Sequence, residues 1–124
     1  MKIATIIVRI LLGLMFVVFG LNGFLQFMKM GPMPAGPAGA FIGALFQSGF
    51  FYVVAALQIA GGAILLIGRY VALGLTLLGP VIVNILLYHL LLDRTGLPLA
   101  MIVSCLGLFL LWAYRDRFAG ILKA

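Results

Sequence analysis

Long apolar runs alternate with short polar breaks along this chain, and the runs have the length of bilayer crossings. Apolar residues dominate 3–28, 50–67, 70–92 and 97–114. A helix rising ~1.5 Å per residue needs roughly 20 such residues to cross a hydrocarbon layer of ~30 Å. Gly68-Arg69 and Asp93–Gly96 are tight breaks, so the spans they join are expected to run antiparallel. The only long connection is Lys29–Ser48, where Pro32, Pro34 and Pro37 forbid a continuous helix. Its second half, AGAFIGALFQSG, is apolar and helix-compatible, with Pro37 suited to a first helical position. That segment is too short to cross. The pattern predicts an all-α, polytopic membrane protein: four transmembrane helices in one antiparallel bundle over residues 1–124. A short interfacial or re-entrant helix in the first outer loop covers one mouth.

Faces within the runs are marked by small residues. Gly13, Phe16, Gly20, Gly23 and Phe27 fall in a narrow arc at ~100° per residue. Ala55, Ala56, Ala60, Gly61 and Gly62 form a small patch in the second span. Such stripes let membrane helices approach closely, and packing alone accounts for them. Asn22 and Gln26 are i, i+4 partners on another face of the first span. The third span differs: Gly79-Pro80 interrupts its middle, and Asn84, Tyr88 and His89 follow. A proline there is expected to free the Thr76 carbonyl and bend the helix.

Composition removes the soluble alternatives. The chain is 66% hydrophobic and 8% charged, with mean hydropathy +1.35, against about 25% charged in an average soluble domain. A net charge of +6 would suggest nucleic acid in a soluble protein. Here the basic residues sit at the ends of apolar runs, where topology and lipid headgroups explain them. Placing both termini in the cytoplasm puts Lys2, Arg9, Arg69, Arg115, Arg117 and Lys123 inside, and Lys29 and Arg94 outside. The run from Ile10 to Met28 exceeds a signal-peptide core of about 7–15 residues and reads as a retained helix.

Chemistry is constrained as sharply. Cys105 is the only cysteine and His89 the only histidine. One chain therefore supplies no disulfide, no CxxC pair and no Cys/His metal cage. No catalytic constellation is evident, and any redox role needs a diffusible cofactor or a partner. Polar residues nevertheless recur at one depth. Counted from the outer helix ends at ~1.5 Å per residue, Asn22 lies about 9 Å deep, Gln58 and Asn84 about 12–13 Å, and Ser104 with Cys105 about 10–12 Å. Such a layer is either interhelical glue, worth about 1 kcal/mol per contact, or the lining of an outward-facing pocket for a lipophilic carbonyl compound such as a quinone. The ligand-binding candidates are Asn22, Gln58, Asn84, Tyr88 and His89. Asn84 and Tyr88, i and i+4, are expected to face the bundle interior. His89 is expected to hydrogen-bond Asp93 one turn on, which would raise its basicity. Cys105 reads as packing and Trp112 as an interfacial anchor.

The order of segments resembles the DoxX family of small bacterial four-helix membrane proteins over nearly the whole chain. The likeness is carried by RILLGLMFVVFGLNGF at 9–24, AGAFIGALFQSGFF at 38–51, QIAGGAILLIGRYVALGLTLLGPVIVNILLYHLLLD at 58–93 and AYRDRF at 113–118. The resemblance implies a bacterial inner-membrane protein. Some members look like subunits of thiosulfate:quinone oxidoreductase, and others are linked to membrane redox complexes, so partner subunits or a homo-oligomer are expected alongside membrane lipids. Many relatives carry a glutamate where this chain has Gln58, and often another acid near Gly107. An amide at Gln58 cannot ionise, which argues against a proton relay there but keeps hydrogen bonding to a neutral ligand. A scaffold or lipid-organising role is the alternative. An oligomeric transporter is disfavoured because both carboxylates, Asp93 and Asp116, sit at helix ends.

Overall fold

The computed structural model describes residues 2–25 and 35–122. Five α-helices follow one another: α1 (Lys2–Leu25), α2 (Gly36–Ser48), α3 (Phe50–Ile67), α4 (Val71–Leu91) and α5 (Leu97–Ala113). Four helical stretches, with α5 extended back to Arg94 through a short 3₁₀ turn, are long and apolar enough to cross a membrane. The protein is an all-α polytopic bundle. The expected spans 50–67, 70–92 and 97–114 match α3, α4 and α5 to within a residue at each end. The expected end of the first span at Met28 lies outside the described residues, as do Gln26, Phe27, Lys29, Pro32, Pro34 and Lys123.

Turn chemistry explains the boundaries. Gly49 (φ 79°) closes α2 and opens α3, and Gly68 (φ 84°) closes α3. Both take the left-handed conformation that side chains resist. Pro37 stands in the first turn of α2 and Pro98 in that of α5, where a missing N–H costs nothing. α4 continues through Pro80 as one helix. After α5 the charged tail does not simply stop; Arg115–Leu122 winds into a 3₁₀ helix.

The helices meet in the cyclic order α1, α3, α4, α5, with α2 lying against α3. Contacts descend on one helix as they rise on the other, so neighbours are antiparallel. Gly13 meets Gly62, Gly20 meets Ala55 and Ile59, and Gly23 meets Ala55 and Phe51. The α1–α3 seam is the tightest. A Cβ on Gly62 would lie 2.7 Å from the Gly13 carbonyl oxygen, and one on Gly13 2.8 Å from that of Gly62. Backbone touches backbone there, which is how membrane helices gain dispersion without a hydrophobic drive. Gly61, one residue and ~100° round from Gly62, turns to Gly74 and Leu78 of α4 instead. The adjacent pair thus serves two seams. Leu12, Phe16, Leu65, Val71, Leu78 and Leu110 fill the centre with essentially no exposure.

Candidate functional site

The residues singled out from the sequence are held by three helices, and the bundle separates them more than their common depth suggests. Asn22 is the one buried polar side chain among the described residues, at 9% exposure on α1. Gln58 is half-buried on α3. At ~100° per residue it falls between the Gly62 face towards α1 and the Gly61 face towards α4, on the side of buried Leu65. Both amides therefore belong to the bundle interior.

Asn84 does not. Its side chain is exposed, and its Nδ2 donates to the Pro80 carbonyl of its own helix at 2.8 Å. The expectation that Asn84 faces inward is corrected here. The cause is rotational: Val71, Leu78 and Ile85 lie on the packed face of α4 with buried Val81 at its edge, and Asn84 lies about 60° beyond Val81 and about 100° or more from the others. Thr76 is likewise exposed and self-satisfied, donating to the Ala72 carbonyl at 2.7 Å.

Tyr88 and His89 form the compact part of the site. Both are half-buried, and their rings meet edge-on with centroids 5.0 Å apart. His89 shares the packed face of Leu78 and Ile85, about three turns and one turn further along. Its ring lies against Gly96 of the following turn so closely that any side chain at that glycine would collide with it. Tyr88 leans the other way and meets Phe41 of α2 at 5.7 Å between centroids. The short helix thus brings an aromatic ring against Tyr88.

The pairing of His89 with Asp93 takes a different form from the one expected. Nδ1 of His89 lies 3.0 Å from the backbone oxygen of Asp93, not from its carboxylate. A carbonyl only accepts, so Nδ1 carries the proton and, in the neutral ring, Nε2 is left with a lone pair. The carboxylate is taken by Thr95, whose hydroxyl donates to Oδ1 at 2.7 Å and whose N–H donates at 3.1 Å. These bonds, the hydroxyl first, hold the Asp93 carboxyl below its ordinary range, with a lesser contribution from the nearby imidazole.

Ser104 was noted only as part of the layer, yet its Oγ is buried with no hydrogen-bond partner among the described residues. Cys105 beside it is exposed. Among the described residues no three His, Cys, Asp or Glu side chains gather to hold a metal ion. Comparison of the chain with family models, with curated proteins and with solved structures finds no match in any of the three. The functional reading therefore rests on this geometry and on the sequence resemblance.

Proposed function

We propose that this is a DoxX-like subunit or accessory of a redox-linked complex in the bacterial inner membrane, with both termini cytoplasmic. We infer that it binds a quinone or similar lipophile at the outer corner formed by Tyr88 and His89. One observation carries the reading: a phenol stands beside an imidazole whose tautomer is set by a backbone carbonyl. The pair offers one donor and one acceptor on neighbouring rings whose centroids are 5.0 Å apart. The Tyr88 hydroxyl suits a ligand carbonyl, and Nε2 of His89 suits a ligand hydroxyl. Phe41 supplies an aromatic face next to them, and the site borders lipid, so a hydrophobic ligand enters without crossing water. Asn22 and Gln58 act as glue within the bundle, worth about 1 kcal/mol each.

Titration of detergent-purified protein with a quinone analogue tests this. Tyr88→Phe and His89→Phe are each expected to weaken binding about fivefold, the equivalent of one neutral hydrogen bond. Asn84→Ala is expected to cost less, because its amide N–H is committed to Pro80. Unchanged binding in both ring variants would remove the site. Mutants that lose thermal stability but never bound the analogue would favour the alternative, a scaffold or lipid-organising protein. The exposed, locally satisfied Thr76 and Asn84 are what that alternative has in its favour.

A further inference from the structure

At the opposite end of the bundle, positive charge converges in excess of negative charge. Arg9, one turn before Gly13 on α1, is half-buried, and its guanidinium lies directly against the backbone of Gly68 at the α3–α4 turn. Its Nε is buried with no hydrogen-bond partner among the described residues. Around it opens a groove of about 540 Å³ bordered by Lys2, Trp112, Arg115 and Arg117. A second groove of about 470 Å³ adds Arg69 and shares Arg117. The two are thus edged by five cations. The only acidic side chains in the sequence are Asp93 and Asp116; the first is bonded to Thr95 at the far end, and the second stands exposed between Arg115 and Arg117 at this end, one carboxylate against five cations.

The guanidinium groups are placed rather than loose. Arg115 donates from Nη1 to the Trp112 carbonyl at 2.8 Å and lies 4.7 Å above the Trp112 ring. Arg117 lies 5.5 Å from the Tyr114 ring. Cation–π stacking of this kind holds the planar head while leaving its other N–H donors available. An unsatisfied buried guanidinium N–H costs more than an ordinary lost hydrogen bond, and a phosphate oxygen is the acceptor that guanidinium geometry fits. Ile6 also lines the groove, and Ile3 and Ile10 beside it are exposed. The site is therefore amphiphilic: a cationic cup that opens onto an apolar helix face.

We propose that this groove is a binding site for the phosphate of an anionic glycerophospholipid, with Arg9 as its inner anchor and Arg115, Arg117 and Lys2 at its rim. It is separate from the Tyr88–His89 corner and does not rest on that reading. The rim cations draw the headgroup in, each contributing about a fivefold gain in affinity near a negative surface. Arg9 distinguishes a specific site from a diffuse charged ring, because its guanidinium is half-buried and held against the Gly68 turn at the inner side of the groove.

Trp112 is the only tryptophan, so its emission reports occupancy directly. The whole protein in neutral detergent is titrated with phosphatidylglycerol, phosphatidylcholine and soluble glycerol phosphate. Phosphatidylglycerol is expected to shift the emission saturably, with phosphatidylcholine at least tenfold weaker. Arg9→Gln is expected to lower the affinity for phosphatidylglycerol about tenfold or more, and Arg117→Gln, at an exposed position that spares the fold, about fivefold. Arg94→Gln, at the other end, is expected to leave it unchanged. Equal affinity for the two lipids, or no loss in Arg117→Gln with the fold intact by circular dichroism, would overturn the proposal. Soluble glycerol phosphate binding as tightly as the lipid would overturn the lipid assignment and leave a plain phosphate site.

Discussion

The α1–α3 seam and the C-terminal half of α4 invite opposite first impressions. The seam is a run of glycines and alanines with nothing chemical in it. The α4 segment has a Gly-Pro pair, an asparagine and the chain's one histidine. Yet the seam is where the bundle tolerates no change, with backbone oxygen 2.7–2.8 Å from where a side chain would begin. One face of the middle of α4 is open: Gly79 has nothing within 4 Å of an added Cβ, and Asn84 is exposed, while Leu78 and Val81 on the other face are buried. α4 is tightly held where Gly74 and Leu78 meet Gly61, and again at its end, where His89 presses on Gly96. In a lipid-solvated bundle, then, what fixes a position is contact between backbones and not the polarity of its residue.

The sharpest way to break this contrast is to put a side chain into the seam. Gly62→Val places its Cβ against the Gly13 carbonyl oxygen at 2.7 Å and the Val17 nitrogen at 3.0 Å. Neither is the flexible end of a side chain, so α1 must move as a body. A loss of about 3 kcal/mol or more is expected, read as a collapse in the midpoint of thermal or denaturant unfolding in detergent. A Gly62→Val protein as stable as the parent would show that the seam is not the bundle's structural centre.

Gly79→Ala is the converse test, with a smaller effect of opposite sign. The site is open and φ is helical, so the added methyl meets lipid while the chain loses glycine's conformational freedom. A gain of about 0.5–1 kcal/mol is expected. A marked loss would mean that something packs on this face of α4, and a partner subunit or second copy would be the first candidate.

How much of this was legible in the sequence follows the same division. The end of α3 could be read because Gly68 takes a left-handed φ there. The Gly13–Gly20–Gly23 stripe could be read because small residues in one arc have a packing purpose. The direction of Asn84 could not. α4 is apolar all round, so the periodicity that reveals a core face in a soluble helix carries little signal, and an asparagine looks inward-facing by type alone. Arg9 was legible only as a charge near a helix end. That its guanidinium meets Gly68 depends on α1 and α3 being antiparallel at one register, which no local pattern specifies. His89 and Asp93 were paired correctly by spacing, but spacing does not choose between a carboxylate and a carbonyl.

The smallest effect lies in that last choice. The Thr95 hydroxyl and N–H hold the Asp93 carboxyl below its ordinary range, so the folded state binds this proton less readily than the unfolded chain. The stabilisation is present above the unfolded carboxylate range, near pH 4, and is lost as pH falls through the folded value. Asp93→Asn keeps an Oδ1 acceptor for Thr95 but cannot titrate. Its melting temperature is expected to lie slightly below the parent's at neutral pH, with the gap closing on acidification. Among the described residues His89 hydrogen-bonds the Asp93 backbone oxygen and not its carboxylate, so the same substitution is expected to leave quinone-analogue binding unchanged. If binding falls with the charge, the carboxylate acts on the imidazole through space, and the turn belongs to the site as well as to the fold.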